Sequence, residues 1–399
     1  MERKPRVLRV VTRLNVGGPA RQAVYLTREL AARGFDTRLA WGASGPGEGE
    51  LTPPNDCPST YLPWLGRGLD PVGDVRTLHA LRGIMRRWRP QVVHTHLAKA
   101  GALGRSAAVP AGAPVVVHTF HRHVLQEYFS RLKNATFAAA ERRLAARTDA
   151  LIAVAPCVRD DLLALGIGRE DQWHVVPVGV DVATLLSDRV PRDEARARLG
   201  LPLDGPAIGV VGRLAPIKDH RTFFEAAARV IADRPDVTIV VAGDGELRSR
   251  LEPEARAILG DSVRFLGWVH DLPALYGALD IVALTSRLEG TPVSLIEAAA
   301  TGTPAVATAV GGVAEVVRDR ETGLLVPPRD PVAVAAQLLT LLDDPEGARR
   351  MGEEGARWVR DRFSEQRLAD DIAGLYDELI SRSRSAPSSR VLRDRVSTG

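Results

Sequence analysis

The stretch IVALTSRLEGTPVSLIE, residues 281–297, combines a short apolar run, a polar loop and the start of a helix. The run at Ile281–Leu284 has the length and composition of a buried strand. In the loop we expect close backbone approach at Gly290, an N-cap at Thr291 and the first helical position at Pro292. A strand that leads directly into a helix predicts one unit of a parallel sheet with crossover helices.

The same alternation recurs along most of the chain. In the first half it predicts strands at Val7–Thr12, Thr37–Trp41, Val92–Thr95, Val115–Thr119 and Ala150–Val154, and helices at Ala20–Arg33, Val72–Trp88, Ala98–Ala108 and Val124–Arg147. Further strands are predicted at Ala207–Val211, Val237–Ala242, Val263–Leu266, Ala305–Thr308 and Leu324–Val326. The pattern therefore indicates two doubly wound α/β domains, whose ligands lie beyond the carboxyl ends of the strands.

The domains are predicted to span residues 1–177 and 206–363, joined by a turn-rich linker at 178–205. A last helix at about 364–381 has apolar residues at helical spacing and is expected to pack back onto the first domain. The tail at 382–399 is rich in Ser and Arg, so we predict that it is disordered.

The composition is unlike that of disordered or fibrous proteins. Hydrophobic residues make up 45% and charged residues 26% of the 399 residues, which is typical of a globular chain with about two domains. The net charge of +4 comes from 53 basic and 49 acidic residues, and such a balance does not predict nucleic-acid binding.

The sequence favours a cytoplasmic location. The N-terminus leads directly into the first strand without an apolar signal segment, and no apolar run approaches the ~18 residues of a membrane span. Cys57 and Cys157 lie far apart and are predicted to be free thiols. A cluster of arginines on one predicted helix is either a solvated face or a contact for an anionic ligand or a membrane surface. Its members are Arg82, Arg86, Arg87 and Arg89.

Phosphate chemistry is indicated at the loop of residues 285–292. Backbone N–H groups and the positive end of the following helix suit an anion. Glu289 and Glu297 flank this end of the helix, and a carboxylate is an acceptor that suits sugar or ribose hydroxyls. The alternative is an ordinary capped helix with two surface glutamates.

A second loop, residues 212–219, follows the first strand of the second half. Arg213 and Lys218 in this loop could converge on a diphosphate, or they could be two surface cations. In the first half the matching loop contains Gly17 and Gly18, which free the backbone just before a helix and would face the same cleft.

Together these motifs resemble the retaining, metal-independent glycosyltransferases of family 4, which have the GT-B fold of two Rossmann-like domains facing a central cleft. The resemblance runs from Arg6 to about Ile380. Its motifs are the Gly17-Gly18-Pro19 loop, Gly212-Arg213-Leu214 with Lys218, the pair Glu289 and Glu297 with seven residues between them, and Gly311-Gly312.

The resemblance implies a role for each motif. Arg213 and Lys218 would hold the donor diphosphate, Glu297 the ribose and Glu289 the transferred sugar. Backbone contacts to sugar and phosphate would come from Gly290, Thr291, Pro292, Val293 and Ser294.

The family also uses a histidine after a strand of the first domain, and His121 occupies the matching position. Relatives often have His-Gly-His where this chain has His121-Arg122-His123, so we expect Arg122 to affect the shape of the loop and the choice of acceptor. His94 and His96 also end a strand. We do not expect them to bind a metal, because the family needs none and no carboxylate completes a site.

The implied activity is retaining transfer of a sugar from a nucleoside diphosphate donor, with UDP favoured, to a glycan, lipid-linked or small-molecule acceptor, with no cofactor. Three other classes stay open. A nicotinamide dehydrogenase has only a weak fingerprint, because Arg248 stands at the third glycine position after Gly243 and Gly245. A sugar-nucleotide epimerase of related fold is closer, and a non-catalytic sugar-nucleotide-binding protein is the alternative from a different class.

Overall fold

The computed structural model describes residues 3–15, 17–45, 49–122 and 131–385. Over these ranges the chain forms two parallel β-sheets with flanking helices. No helix in the described ranges combines the length and the apolar character needed to cross a bilayer.

The first sheet has seven described parallel strands in the spatial order β3-β2-β1-β4-β5-β6-β7. These are β1 (Arg6–Val11), β2 (Asp36–Gly42), β3 (Ser59–Leu62), β4 (Val92–His96), β5 (Val115–Phe120), β6 (Ala150–Ala153) and β7 (Trp173–Val175). The helices are α1 (Gly18–Ala32), α2 (Pro71–Trp88), α3 (Ala98–Ala108), α4 (Arg131–Ala145) and α5 (Pro156–Ala164). Every residue of β4 and β5 is buried, because apolar clusters cover both faces of the sheet.

The second sheet has six described parallel strands in the order β10-β9-β8-β11-β12-β13. These are β8 (Ala207–Val211), β9 (Thr238–Ala242), β10 (Val263–Gly267), β11 (Ile281–Leu284), β12 (Ala305–Thr308) and β13 (Leu324–Val326). The helices are α8 (His220–Asp233), α9 (Arg248–Leu259), α10 (Leu272–Gly277), α11 (Val293–Ala300), α12 (Val313–Val316), α13 (Pro331–Asp343) and α14 (Pro345–Arg362). The prediction of two doubly wound, Rossmann-like halves is confirmed.

Strand order reverses between β1 and β4 in the first sheet and between β8 and β11 in the second. In doubly wound sheets such a reversal opens a crevice at the carboxyl ends of the strands. The loops after β1, β4 and β5, and those after β8 and β11, therefore lie at the ligand-binding ends of their sheets.

The segment predicted to be a turn-rich linker contains two short helices, α6 (Val182–Ser187) and α7 (Arg192–Leu199). The Asp181 side chain caps α6 by accepting from the Thr184 N–H at 3.0 Å. Arg196 of α7 is buried and donates to Asp280 Oδ2 at 2.8 Å. The turn-rich interpretation is wrong at these helices, because tertiary contacts stabilise segments too short to show helical periodicity.

The last helix, α15 (Glu365–Ser385), lies against the first sheet. Its residues Leu368, Ile372 and Tyr376 belong to the same buried cluster as Val7 of β1 and Val117 of β5. The prediction of disorder is wrong for residues 382–385, which continue the helix with an ion pair to Glu378 and a hydrogen bond from Ser383 Oγ to Ile380 O at 2.8 Å. Residues 386–399 of the predicted tail lie outside the described residues.

The two segments that connect the halves run side by side. The Val180 N–H donates to Phe363 O at 2.7 Å, and the Glu365 N–H donates to Val180 O at 3.2 Å. Arg367 adds hydrogen bonds to the carbonyl groups of Pro177 and Val178, at 2.8 and 3.0 Å. The chain therefore passes out of and back into the first half through one joined region.

Candidate active site

The loop between β11 and α11 lies beside the strand reversal of the second sheet. Helix α11 begins at Val293 with Pro292 in the cap position, so the expected N-cap at Thr291 and the placement of Pro292 inside the helix are both wrong. Thr291 Oγ1 instead donates to Val154 O of the first half, 3.1 Å away. The N–H groups of Val293 and Ser294, in the first turn, lack acceptors within the helix and favour an anion at this end.

Glu289 is buried in this loop and forms an ion pair. Its Oε1 accepts from Lys218 Nζ at 2.6 Å and from Ser286 Oγ at 2.6 Å. Gly311 lies behind it with a φ of +51°, and a Cβ there would be 2.0 Å from Glu289 O. Because only glycine fits that position, the backbone of Glu289 is held closely against it.

Glu297 is buried inside α11 and has contacts from both halves. Tyr276 Oη donates to Glu297 Oε2 at 2.7 Å, and Arg21 Nη1 of the first half lies 3.6 Å from Oε1. Burial raises the pKa of the Glu297 carboxyl, while the Tyr276 hydrogen bond and the Arg21 charge act in the opposite direction. The two partners therefore fix the orientation of this acceptor group.

The two predicted phosphate-binding cations lie in the loop after β8. A Cβ on Gly212 would lie 3.8 Å from Lys218 Cε, so the lysine side chain runs alongside the start of the loop. Arg213 Nη2 lies 3.8 Å from Glu246 Oε1. Each cation thus has a carboxylate near it.

The halves approach each other closely at Gly290 and at Gly18. A Cβ on Gly290 would lie 1.9 Å from the backbone oxygen of His121, and one on Gly18 would lie 3.0 Å from Val293 Cγ2. At Gly17 the backbone is extended, and a Cβ would meet only Asn15 Nδ2 at 3.6 Å, an ordinary contact. Close approach therefore requires glycine at 290 and favours it at 18, but does not require it at 17.

His121 follows β5 and is partly accessible. Its Nε2 lies 3.1 Å from His96 Nδ1. Burial by the surrounding protein lowers the pKa of His121 to about 4. The ring is therefore neutral at pH 7.

The structure connects most of the predicted site residues directly. Contacts or close approaches join Lys218 to Glu289, Gly290 to His121 and Gly18 to Val293. Pro292 and Ser294 lie on the same loop and helix end, whereas Arg213 lies beside Glu246. His94 is buried away from this cleft, with Nε2 bonded to Thr119 Oγ1 at 2.7 Å, and His123 lies outside the described residues.

Three residues of the site were not predicted from the sequence: Arg21, Tyr276 and Ser286. Arg21 could have been identified, because it lies one turn into the helix that begins at Gly18. Tyr276 offered no sequence signal, since it belongs to α10 and reaches Glu297 only through the tertiary fold. Among the residues that the structure describes, no group of His, Cys, Asp and Glu side chains is arranged to hold a metal ion.

Two protein-family models match consecutive parts of the chain. Residues 17–179 match the glycosyl transferase 4-like domain, and residues 191–358 match the glycosyl transferases group 1 family. The chain belongs to the group 1 glycosyl transferases. In this family 4 glycosyltransferase the two matched regions correspond to the two halves of the GT-B fold.

Relatives of this glycosyl transferase cover most of its length. A D-inositol 3-phosphate glycosyltransferase from Salinispora tropica is 36% identical over 322 residues, which are 74% of this chain and 65% of that protein. A UDP-Gal:alpha-D-GlcNAc-diphosphoundecaprenol alpha-1,3-galactosyltransferase from Escherichia coli is 28% identical over 354 residues, 87% of this chain and 90% of that one. Among solved structures, sucrose-phosphate synthase from Thermosynechococcus elongatus superposes with a TM-score of 0.81 at 26% identity, over 95% of this chain and 100% of that one.

Proposed function

We propose that the chain transfers a sugar from a nucleoside diphosphate donor to a hydroxyl group of an acceptor, with retention at the anomeric carbon. The observation that carries the proposal is the meeting of His121 with Gly290, next to Glu289 and the start of α11. A neutral imidazole, an ion-paired carboxylate and an anion-binding helix end thus surround one cleft. Such a cleft suits a ligand with a sugar at one end and a diphosphate at the other.

The diphosphate is assigned to the second half and the helix end. Lys218 and Arg213 would neutralise it, and backbone N–H groups from Gly290 to Ser294 would donate to its oxygens. Lys218 has three N–H donors, so it can keep Glu289 while it binds a phosphate oxygen. The loop of Gly17 and Gly18 faces α11 from the first half and would close over the same group.

The hydroxyl groups of the donor are assigned to the two glutamates. Glu297, held by Tyr276 and Arg21, would accept from the ribose hydroxyls. Glu289 precedes Gly290, which lies against His121. Glu289 would therefore accept hydrogen bonds from the hydroxyls of the transferred sugar. His121 would contact the same sugar near the reacting carbon.

In the proposed reaction the bond from the anomeric carbon to the phosphate oxygen breaks, and its electron pair stays with the leaving phosphate. The acceptor oxygen bonds to the carbon from the same face, and its proton passes to the leaving phosphate. Lys218, Arg213 and the α11 end stabilise the charge that develops there. Closure of the halves would exclude water. These groups supply the neutralising charge, so we propose that turnover needs no metal ion or other cofactor.

We favour a UDP-sugar as donor, because the name of the Escherichia coli relative includes UDP-Gal. That name also includes a lipid diphosphate acceptor, and the Salinispora tropica relative is named for an inositol phosphate. A hexosyl donor and a lipid-linked, glycan or small-molecule acceptor are therefore proposed, with no nucleic-acid partner. The enzyme would act in the cytoplasm, where Arg86 and Arg87 of α2 offer a contact for the inner membrane face.

The test is a transfer assay with a panel of nucleotide sugars, read by mass spectrometry of the products and by release of nucleoside diphosphate. We expect UDP release that depends on one UDP-sugar and persists in excess EDTA. Activity lost in EDTA and restored by manganese would overturn metal independence. A product derived from the donor alone would favour an epimerase, and tight UDP binding without turnover would favour a binding protein.

A further inference from the structure

Arg9 lies within β1 and is 1% exposed. Its Nε and Nη2 atoms are buried without a hydrogen-bond partner among the described residues. A buried charge without a counter-ion destabilises the folded state, so stability alone does not explain an arginine at this position. Its position at the centre of the sheet, beside the histidines of β4, directs attention to the neighbouring site.

The remaining nitrogen of Arg9 reaches three polar side chains. Nη1 lies 3.2 Å from His94 Nδ1, 3.3 Å from His96 Nε2 and 3.4 Å from Tyr376 Oη. A guanidinium has five N–H donors and no acceptor, and it stays protonated in proteins. Nη1 carries two N–H groups, and His94 Nδ1 is already bonded to the Tyr376 hydroxyl, so Tyr376 Oη and His96 Nε2 are the two acceptors for Arg9.

The direction of the hydrogen bond from Arg9 also determines which nitrogen of His121 carries a proton. Burial and the Arg9 charge lower the pKa of His96 well below its ordinary value, so the ring is neutral and carries a single proton. Because His96 Nε2 accepts from Arg9, that proton is on Nδ1. The Nδ1–H in turn points to His121 Nε2 at 3.1 Å, which must accept.

We infer that Arg9 is a positioning residue that acts through His96 to hold His121 in the tautomer with the proton on Nδ1. The free donor of His121 is then its Nδ1–H, which can donate to a sugar hydroxyl or to a phosphate oxygen. Its Nε2 is occupied by the hydrogen bond from His96. The tautomer with the proton on Nε2 would put two N–H groups against each other at 3.1 Å and is excluded while Arg9 is present. The catalytic consequence, but not the tautomer itself, depends on the proposed function.

A second branch from Arg9 does not pass through His96 and supplies a control. Tyr376 Oη accepts from Arg9 and donates to His94 Nδ1, and His94 Nε2–H donates to Thr119 Oγ1 at 2.7 Å. This branch begins at Tyr376 of α15 and ends at Thr119 of β5. Removal of the Tyr376 hydroxyl should therefore leave the His121 tautomer unchanged.

The direct test is nitrogen NMR of the full chain with labelled histidine, with the His121 signals assigned by their loss in His121→Gln. We expect the wild type to show a protonated Nδ1 and an unprotonated Nε2 at His121. Arg9→Met and, independently, His96→Phe should give a mixture of tautomers, Arg9→Lys should preserve the wild-type form because an ammonium is also an obligate donor, and Tyr376→Phe should match the wild type.

Kinetics and stability separate positioning from folding. Arg9→Met should reduce kcat by about 10- to 100-fold, the range for losing a group that orients a functional histidine, with UDP affinity within about twofold of wild type. Its thermal midpoint should stay the same or rise, because an uncompensated buried charge is removed. Arg9→Lys should recover most of the lost turnover.

A proton on Nε2 of His121 in the wild type would overturn the inference, as would an unchanged tautomer in both Arg9→Met and His96→Phe. If Arg9→Met fails to fold, the His96→Phe spectrum decides the same question. A wild-type protein that transfers no sugar would refute the proposed function, whereas the NMR result would still decide the tautomer.

Discussion

At the scale of single residues, Lys218 and Glu289 hold each other in position by an ion pair. Their ion pair at 2.6 Å is mostly buried, with side-chain exposures of 20% and 9%. The ion pair thus holds the lysine in place, and under the proposed function little reorganisation would be needed for a donor phosphate to become its second partner.

For Lys218 we predict that Lys218→Ala slows transfer more than it weakens donor binding, because leaving-group charge develops mainly in the transition state. By analogy with removal of one oxyanion donor, kcat should fall by about 10²- to 10³-fold. Steady-state kinetics at saturating donor measure this effect. Arg221→Ala, on an exposed side chain three residues away, is the matched control and should leave kcat unchanged. Normal kcat in Lys218→Ala would remove the lysine from the leaving-group site.

Glu297 should act on binding instead. Glu297→Gln keeps the shape of the side chain but replaces a charged acceptor, and it removes the partner of Arg21. We expect UDP affinity to fall roughly 10-fold, about 1.4 kcal/mol, which is typical of weakening one charged hydrogen bond. Calorimetric titration with UDP is the measurement, and Glu346→Gln at an exposed position is the control. Unchanged affinity would place the ribose elsewhere.

At the scale of elements, the unit of β11, its loop and α11 touches the first half at defined points. Gly290 lies against His121, and Thr291 bonds to Val154 O. The end of β5 and the start of α11 are therefore positioned by each other, so a change in the loop should alter both.

Gly290→Ala tests this contact between elements. A Cβ at 1.9 Å from the His121 oxygen cannot be accommodated without moving one backbone, so the loop or the β5 end must shift. We expect kcat/KM to fall by at least 10-fold, in line with the sensitivity of transfer to small misplacements. Gly83→Ala in α2, where a Cβ would meet nothing within 4 Å, is the control. A Gly290→Ala enzyme with wild-type kinetics would show that the close approach is dispensable.

At the scale of the whole molecule, the two segments that connect the halves and run side by side contain a carboxyl group with a shifted pKa. Burial, followed by the charges of Asp181 and Glu29, raises the pKa of Glu365 to about 7, while Arg21 and Arg28 act weakly in the opposite direction. The folded protein therefore binds a proton at Glu365 over a pH range in which the unfolded chain has released it. This group favours folding at low pH, and its contribution is lost as pH rises from about 4.5 through about 7.

We predict that Glu365→Gln, which mimics the protonated form, raises stability at pH 8 and changes it little at pH 5. The gain at pH 8 should be of the order of 1–3 kcal/mol, since one pKa unit corresponds to about 1.4 kcal/mol and partial exposure reduces the effect. Thermal midpoints at several pH values measure it, with Glu378→Gln as a control on the same helix. A midpoint that rises equally at pH 5 and pH 8 would contradict the assignment to Glu365 ionisation.

The sequence by itself determined most of the strands, the two doubly wound halves, the loops that carry Arg213, Lys218, Glu289 and His121, and the helix that carries Glu297. These features depend on local patterns: an apolar run followed by glycine and then an amphipathic helix gives the same unit wherever it occurs. The short edge strands β3 and β7 and the helices α6 and α7 escaped prediction, because neighbours in space stabilise them more than their own few residues do.

Only the tertiary structure decided which side chains meet. Thr291 bonds to a carbonyl group 137 residues away instead of capping its own helix, and Tyr376 reaches Arg9 across 367 residues of sequence. The close approach of Gly290 to His121 and the path from Arg9 through His96 likewise depend on how strands and domains are placed. Periodicity and propensity report each segment's own preferences, whereas these contacts are set by packing between segments that are remote along the chain.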